Sequence, residues 1–550
     1  MPRLRSTQLL ATVFFALFLA QGLYLIKETS PTTDKTAFHM VNGYTYLKTH
    51  DYRMSPANPA LLREWMALPW LVFQPKLDLD KASWREAESV PFSLDVFYHD
   101  NRAIANKLLY SARFMILLLG LALGVVVYTW SRQLYGEWAG VLSLAFYSLS
   151  PSFIAYSSIA HTDIGITLFI TLSAYGLWKY LCTGRNGDFV LFAAAFGAAC
   201  AAKHNALVFF LPFLVILGIK KGWSAFLKGT IFLPLAALLL VWVSYGFEFK
   251  PLLWQGVPRI EEKLSYVSAF SDSVFHGNAA AKAWVQQAAQ TVPVPIPSYL
   301  LGFAGLIRSH QAPYPHYAFG HWTNDCVWYF YLFSFVAKLT LPFLGLLLFR
   351  FAYFRKAGSV GGQENLIVLL PTAFLFYITF FDRTGIGIRY LLPVIPLLVV
   401  WIGGLANLAK NSSIWKKGLI LAVILNAATV WPVFPNYLSY FNPAIGGVEG
   451  GLHYVRGSDV DWGQGLKALK RYLDEHHISK ISLRYFGTAD PTFYGIDSEP
   501  VTEAETEKPE HKVYAVSIFF REHMKWADRI KPTAIVGGSI HIYDLRNSSE

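Results

Sequence analysis

The stretch Ser157-Ser158-Ile159-Ala160-His161-Thr162-Asp163 sets an imidazole and a carboxylate two residues apart, where one long apolar run ends and another begins. A charge at such a boundary costs roughly 2.5 to 3.5 kcal/mol to bury in hydrocarbon, so it marks a water-filled cavity or a reacting group. The chemistry open to the pair is proton transfer, or orientation of a group that gives up a proton. A second reading stands beside it: Thr162 or Asp163 caps a helix beginning near Ile164, accepting from its first free N–H groups. Position alone leaves both open. Lys338 poses a related question, because it falls about three turns into its apolar run, where snorkelling to the interface explains it poorly. His161 with Asp163 is at most half a metal site, so no metal or other cofactor is expected.

The elements that must position these residues follow from composition. With 54% hydrophobic, 16% aromatic and only 15% charged residues over 550 positions, the chain is too apolar for a soluble protein and reads as a polytopic membrane protein. Its mean hydropathy of +0.35 agrees. The net charge of +11 is not gathered in a basic block; Lys and Arg recur in the short gaps between apolar runs, as in cytoplasmic loops, and no nucleic-acid partner is expected. Cys182, Cys200 and Cys326 form neither a disulfide framework nor a metal-binding pair.

A run at 9–26 follows Arg3 and Arg5 and is long enough to be a retained span rather than a cleaved leader. Further runs lie near 108–130, 138–158, 164–181, 189–202, 205–219, 226–245, 327–349, 364–381, 389–408 and 416–434, giving about eleven transmembrane helices. Threaded from a cytoplasmic N-terminus, they place Arg132, Arg185, Lys220, Lys221, Lys228, Arg350, Arg355, Lys356, Lys410, Lys416 and Lys417 inside, which satisfies the positive-inside rule at each inner loop. The suspicious polar residues then share the outer face: loop 27–107, the turns at 161–163, 203–205 and 382–389, loop 246–326, and everything after 434. Both long loops carry helical patterns, at 60–73 with Trp65 and Trp70 suited to lipid headgroups, and at 275–291; they read as a roof over a cavity. Residues 1–434 form the membrane domain. Residues 435–550, with an amphipathic helix at 465–476 and strand-like runs at 480–486, 512–520 and 534–545, read as a small C-terminal α/β domain outside the membrane.

Five stretches give this arrangement a family likeness. They are His39-Met40-Val41-Asn42-Gly43-Tyr44-Thr45-Tyr46 with Asp51-Tyr52-Arg53 and Asn58-Pro59-Ala60-Leu61; Arg132-Gln133-Leu134-Tyr135-Gly136 with Leu149-Ser150-Pro151 and His161-Thr162-Asp163; Lys203; Gly387-Ile388-Arg389-Tyr390-Leu391-Leu392-Pro393; and Ser439-Tyr440-Phe441-Asn442 with Asp461-Trp462-Gly463-Gln464. In order and placement they resemble the C-type (GT-C) integral-membrane glycosyltransferases, within them glycosyltransferase family 39, similar to protein O-mannosyltransferases and aminoarabinose transferases. The resemblance covers about the first 475 residues. It departs at one point: the family's acidic residue a few positions before the first-loop His has no counterpart in Lys35-Thr36-Ala37-Phe38, and the nearest carboxylate is Asp34.

The resemblance implies a glycosyltransferase of the plasma or inner membrane that takes a sugar from a polyprenyl-phosphate donor and gives it to a protein, lipid or glycan acceptor. It casts Asp34, with Asp51 in reserve, as the base, and Asp163 as an acceptor-positioning or proton-sharing carboxylate. Lys203 and Arg389, at predicted outer helix ends, would hold the phosphate, with Lys338 facing the same cavity. His39, His161, Tyr390, Asp461 and Gln464 complete the expected substrate contacts. Two rival readings are a transporter of lipid-linked sugars, for which no internal repeat is visible, and a scaffold of the same fold with altered catalysis.

Overall fold

The computed structural model describes residues 6–33, 36–55, 57–254, 257–311, 315–324, 326–353, 365–382 and 384–546. Asp34, the expected base, lies outside the described residues. Among those described, six helices are long and apolar enough to cross a membrane: Ser6–Glu28, Arg102–Tyr135, Asp163–Thr183, His204–Lys221, Trp223–Ser244 and Ser413–Val433. Two further apolar stretches are bent pairs, Glu137–Ser148 with Pro151–Ser157 at 65° and Phe330–Lys338 with Leu341–Ala352 at 108°. Three shorter apolar helices, Asn186–Ala202, Leu366–Phe381 and Ile395–Ala409, account for the rest of the runs read in the sequence.

The bends correct the expectation of straight spans at 138–158 and 327–349. Each falls beside a proline at the start of the second helix, Pro151 and Pro342, and proline cannot donate to the carbonyl one turn back. Between the straight helices, small residues let backbones meet. A Cβ on Gly176 would lie 2.8 Å from Phe192 N, and one on Gly197 2.5 Å from Ala236 O. Helices in a membrane gain little from hydrophobic transfer against lipid, so close van der Waals approach of this kind holds the bundle together.

The first long connecting segment folds into the helices Thr36–Thr49, Ala60–Ala67 and Trp70–Phe73. The pattern read at 60–73 is therefore two helices broken at Pro69. Trp65 Nε1 donates to Met115 O at 2.8 Å and Trp70 Nε1 to Leu108 O at 3.1 Å, pinning the segment to the helix Ala105–Tyr135. The second long connecting segment holds three helices among its described residues, Ile260–Phe275, Ala279–Thr291 and Pro297–Gln311. The pattern expected at 275–291 covers only the middle one, since the turn residues His276-Gly277-Asn278 separate it from its predecessor.

The C-terminal part forms a five-stranded mixed sheet in the order Ser498–Pro500, Ile481–Arg484, Val513–Ser517, Ile540–Asp544, Ala534–Val536. Ile481–Arg484 runs parallel to both its neighbours, and the remaining pairs are antiparallel. The helix Leu466–Glu475 buries Leu466, Leu469 and Leu473, the face its periodicity predicts. Before this sheet the chain returns to one end of the helical bundle: Ser30 N donates to Gln464 O, Ser30 Oγ to Gly463 O, and Tyr156 and Trp462 rings lie 6.3 Å apart.

Candidate active site

The carboxylate of Asp163 is 2% exposed and lies between two basic groups, with Oδ1 2.7 Å from Lys203 Nζ and Oδ2 2.8 Å from His161 Nδ1. It is not the helix cap. The helix begins at Asp163 itself, its N-cap is Thr162, and neither side chain makes a capping hydrogen bond. Burial holds the His161 imidazole below its ordinary pKa, although Asp163 pulls the other way. The ring is thus neutral near pH 7, with a carboxylate fixing its orientation.

His39 meets His161 edge to face, ring centres 5.0 Å apart, and is positioned from the other side by Arg63. Arg63 is fully buried; its Nε donates to His39 Nδ1 at 3.1 Å, and its Nη1 to Tyr46 Oη at 2.8 Å and Ser55 O at 2.9 Å. Because Arg63 is a donor there, Nδ1 of His39 is the acceptor and Nε2 carries the proton. The crossing that brings these residues together depends on Gly43, where any Cβ would sit 2.0 Å from Arg63 O. A second buried arginine, Arg113, donates to Ile26 O, Thr29 O and Ser30 O and fastens the end of the first helix beneath this loop.

The opposite wall comes from two turns. Gly387 has φ +96, and Asp459 occupies the space a Cβ would need, 2.1 Å away; its carboxylate accepts the Ile388 N–H at 3.0 Å and so sets the turn Ile388–Tyr390 that carries Arg389. Lys338 stands behind Asp459. Its ammonium donates to Leu438 O at 3.1 Å and to Asp459 O, with the Phe441 ring centre 3.8 Å away. The expectation that Lys338 faces the cavity is therefore not met: two backbone carbonyls take up its charge where the bent helix pair breaks. Lys338→Met is expected to lower stability by about 1 to 3 kcal/mol, by leaving those carbonyls without a donor, while donor binding stays near that of the parent. Thermal unfolding beside a lipid-binding titration checks this, and a loss of binding without a loss of stability would return Lys338 to the site.

Asp461 and Gln464 also differ from their expected role. Asp461 Oδ1 accepts Gly463 N–H at 3.0 Å, Gln464 Oε1 accepts Trp462 N–H at 2.7 Å, and Gln464 Nε2 donates to Val460 O at 2.9 Å. Burial pushes the Asp461 carboxyl up to about 7, as befits a residue turned into the protein. Both fold the turn, and the turn delivers Trp462, whose ring lies 5.1 Å from His161 and 4.6 Å from the Arg389 guanidinium carbon. Asp51 is bound to its neighbour Arg53, 2.8 Å away.

These elements enclose a cavity of about 680 Å³ whose wall includes His161, Lys203, Arg389 and Tyr390. Lys203 Nζ lies 4.7 Å from the Tyr390 ring centre, so cation and aromatic face are presented together. Arg53, Arg259 and Lys263 line the same cavity from the two long connecting segments, as do Glu88 and Glu262. Of the expected contacts, His161, Lys203, Arg389 and Tyr390 reach the cavity wall, and His39 and Asp163 stand directly behind His161. Arg63, Asp459, Trp462 and Lys263 went unassigned by sequence reasoning. A charged residue in a polar loop carries no signal of burial, and Trp462 was legible only as the middle of its tetrapeptide.

Comparison with known proteins comes to the same region. Residues 101–246 match the model of a family described as dolichyl-phosphate-mannose-protein mannosyltransferase, a segment that contains His161, Asp163 and Lys203. The likeness to such transferases read in the sequence is thus met there independently. A search of curated proteins gives no match. Among solved structures, the chain is similar to ArnT from Cupriavidus metallidurans bound to undecaprenyl phosphate, at 11% identity and a TM-score of 0.49, over 98% of each chain. It is also similar to the archaeal oligosaccharyltransferase AglB from Archaeoglobus fulgidus in complex with an inhibitory peptide and a dolichol-phosphate, at 10% identity and a TM-score of 0.42, over 98% of this chain and 75% of that one.

Proposed function

We propose that this chain is an integral-membrane glycosyltransferase that moves a sugar from a polyprenyl-phosphate donor to a protein, lipid or glycan acceptor at the extracytoplasmic face. The observation that carries the reading is one cavity whose wall brings Lys203 and Arg389 together with His161, itself backed by a buried carboxylate. The match of residues 101–246 to the mannosyltransferase family supports it. In the transfer, the acceptor oxygen forms a bond to the anomeric carbon as the bond from that carbon to the phosphate oxygen breaks. The lipid phosphate leaves with the electron pair, and Lys203 and Arg389 stabilise its charge; Arg389 can grip two phosphate oxygens at once. The acceptor proton passes to a base. Among the described wall residues His161 has the chemistry for it, a neutral imidazole oriented by Asp163. Asp34, the base implied by the family likeness, remains a candidate for the same step. The Tyr390 face beside Lys203 offers a surface for the apolar side of a sugar ring.

Purified protein in liposomes, given a radiolabelled lipid-phosphate sugar and a membrane extract as acceptor source, tests the reaction. Acceptor-dependent release of free lipid phosphate is expected. Passage of intact lipid-linked sugar across the bilayer without cleavage would instead favour a transporter. The placement is tested separately by putting Lys531→Cys into a variant without the three native cysteines. An impermeant thiol reagent is expected to label it in intact spheroplasts, and labelling only after permeabilisation would invert the topology and remove the outer-face site.

A further inference from the structure

Away from the active site, the helical bundle leaves an apolar groove on a side that a bilayer would surround. Val141, Leu142, Ala145, Ala406 and Leu419 are buried in its floor, while Leu10, Trp138, Ile420 and Ile424 stand exposed along its rim. The space measures about 500 Å³, within the ordinary size of a small-molecule site. Its origin is local. The helices Ser6–Glu28 and Ser413–Val430 both pack along Glu137–Ser148, and Ala145, Ala406 and Ala409 have side chains too short to fill the gap between them. In a bilayer such a gap takes up hydrocarbon, because an empty one forfeits dispersion contacts along its whole lining.

One end of the groove is charged. Lys410 follows the helix Ala406–Ala409 and Lys416 lies near the start of Ser413–Val430, so the two flank a single short connection, and both line the groove. No acid is among the lining residues, and neither ammonium makes an ion pair or hydrogen bond among the described residues. Glu137, beside Trp138, is taken by Arg132 at 2.7 Å. Trp138 marks the same level, as tryptophans do where hydrocarbon meets headgroups. Snorkelling accounts for a lysine at a helix end, such as Lys220 or Lys221 in the last turn of Phe210–Lys221. It does not account for two lysines converging on the mouth of an apolar slot.

We propose that this groove is a specific site for an anionic membrane phospholipid, with one acyl chain over Ala145, Ala406 and Ala409 and the phosphate between Lys410 and Lys416. The positive-inside assignment puts the charged end at the cytoplasmic surface, so the occupant is a lipid of that leaflet. Basic pockets between transmembrane helices on that side take anionic headgroups by the same electrostatics. The site is independent of the transferase reading, because it shares no lining residue with the cavity at Lys203 and Arg389. The bound lipid ties Ser6–Glu28 to Ser413–Val430 across Glu137–Ser148 and so stabilises the bundle.

The test uses the full chain in a nonionic detergent and counts bound lipid by native mass spectrometry during titration with dioleoyl phosphatidylglycerol or dioleoyl phosphatidylcholine. Phosphatidylglycerol is expected to bind the parent roughly tenfold more tightly and to raise its unfolding temperature. Lys410→Gln with Lys416→Gln should bring the two lipids to parity and leave the unfolding temperature without lipid unchanged. Lys220→Gln with Lys221→Gln, the same charge change away from the groove, should keep the preference. Ala409→Phe, which fills the groove at a half-buried position, should weaken both lipids. Glycerol 3-phosphate, a headgroup without chains, should not displace the lipid. Equal binding of both lipids by the parent, or a preference that survives the lysine pair's removal, would overturn the proposal and leave the groove an ordinary lipid contact. Displacement of phosphatidylglycerol by an equimolar amount of undecaprenyl phosphate would give the groove to a prenyl lipid and overturn it as well.

Discussion

Asp163→Asn is expected to lower turnover by about two orders of magnitude or more while the protein still inserts and folds, the scale of loss seen when a general acid-base system is disabled. The side chain keeps its shape, and because it makes no capping hydrogen bond, its removal as an acid costs the helix only its interaction with the dipole, about 0.3 to 1 kcal/mol. What it loses is the negative charge that His161 and Lys203 both approach within 3 Å. An imidazole with an amide behind it is oriented less firmly, and Lys203 is left partly buried without its counter-ion. Stranding a buried cation is itself destabilising, by about 3 to 5 kcal/mol in deeply buried pairs. The double variant Asp163→Asn with Lys203→Met removes that cost. Recovered stability without recovered turnover is the expected outcome; recovery of both would make Asp163 a structural partner of Lys203 and nothing more.

Arg389→Ala is expected to weaken binding of the lipid donor by roughly 10- to 150-fold, the value of one charge-assisted contact of about 1.5 to 3 kcal/mol. Lys203→Ala should act in the same direction, with an added fall in turnover because Asp163 then faces His161 alone. The turn bearing Arg389 is set by Asp459 through the Ile388 N–H rather than by Arg389 itself, so its truncation should leave the turn in place. Titration with a polyprenyl phosphate measures the effect, and unchanged affinity in both variants would reduce the two cations to interfacial anchors. Arg389→Lys separates charge from geometry: an ammonium cannot grip two phosphate oxygens as a guanidinium does, and only partial affinity is expected to return.

Much of the bundle is legible in the sequence because the runs around Phe14, Leu117, Ile170 or Leu239 carry almost no charge, and hydrocarbon thickness sets their length. The bends at Pro151 and Pro342 are less so, because a proline in an apolar run is read as a tolerated kink until its neighbours show which way the chain turns. The same limit hid the site's supports. Lys338 in an apolar run reads as a functional charge, yet it is discharged onto the carbonyls of Leu438 and Asp459, residues about a hundred positions away whose approach no local pattern encodes. Arg63 and Lys263 sit in polar loops, where a cation is the ordinary expectation and burial depends on tertiary contacts. Asp461 and Gln464 were visible as polar residues beside a glycine turn, but which of the four residues packs against His161 and Arg389 depends on the turn around Gly463, whose φ is positive, and the answer is Trp462.

The central claim is that the phosphate of a polyprenyl donor lies between Lys203 and Arg389. A structure of the full chain with a bound polyprenyl phosphate tests it most directly. The account predicts phosphate oxygens within hydrogen-bond distance of Lys203 Nζ and the Arg389 guanidinium, with His161 on the same side of the cavity. A phosphate held instead at the membrane groove walled by Trp138, Leu419, Lys410 and Lys416 would contradict it.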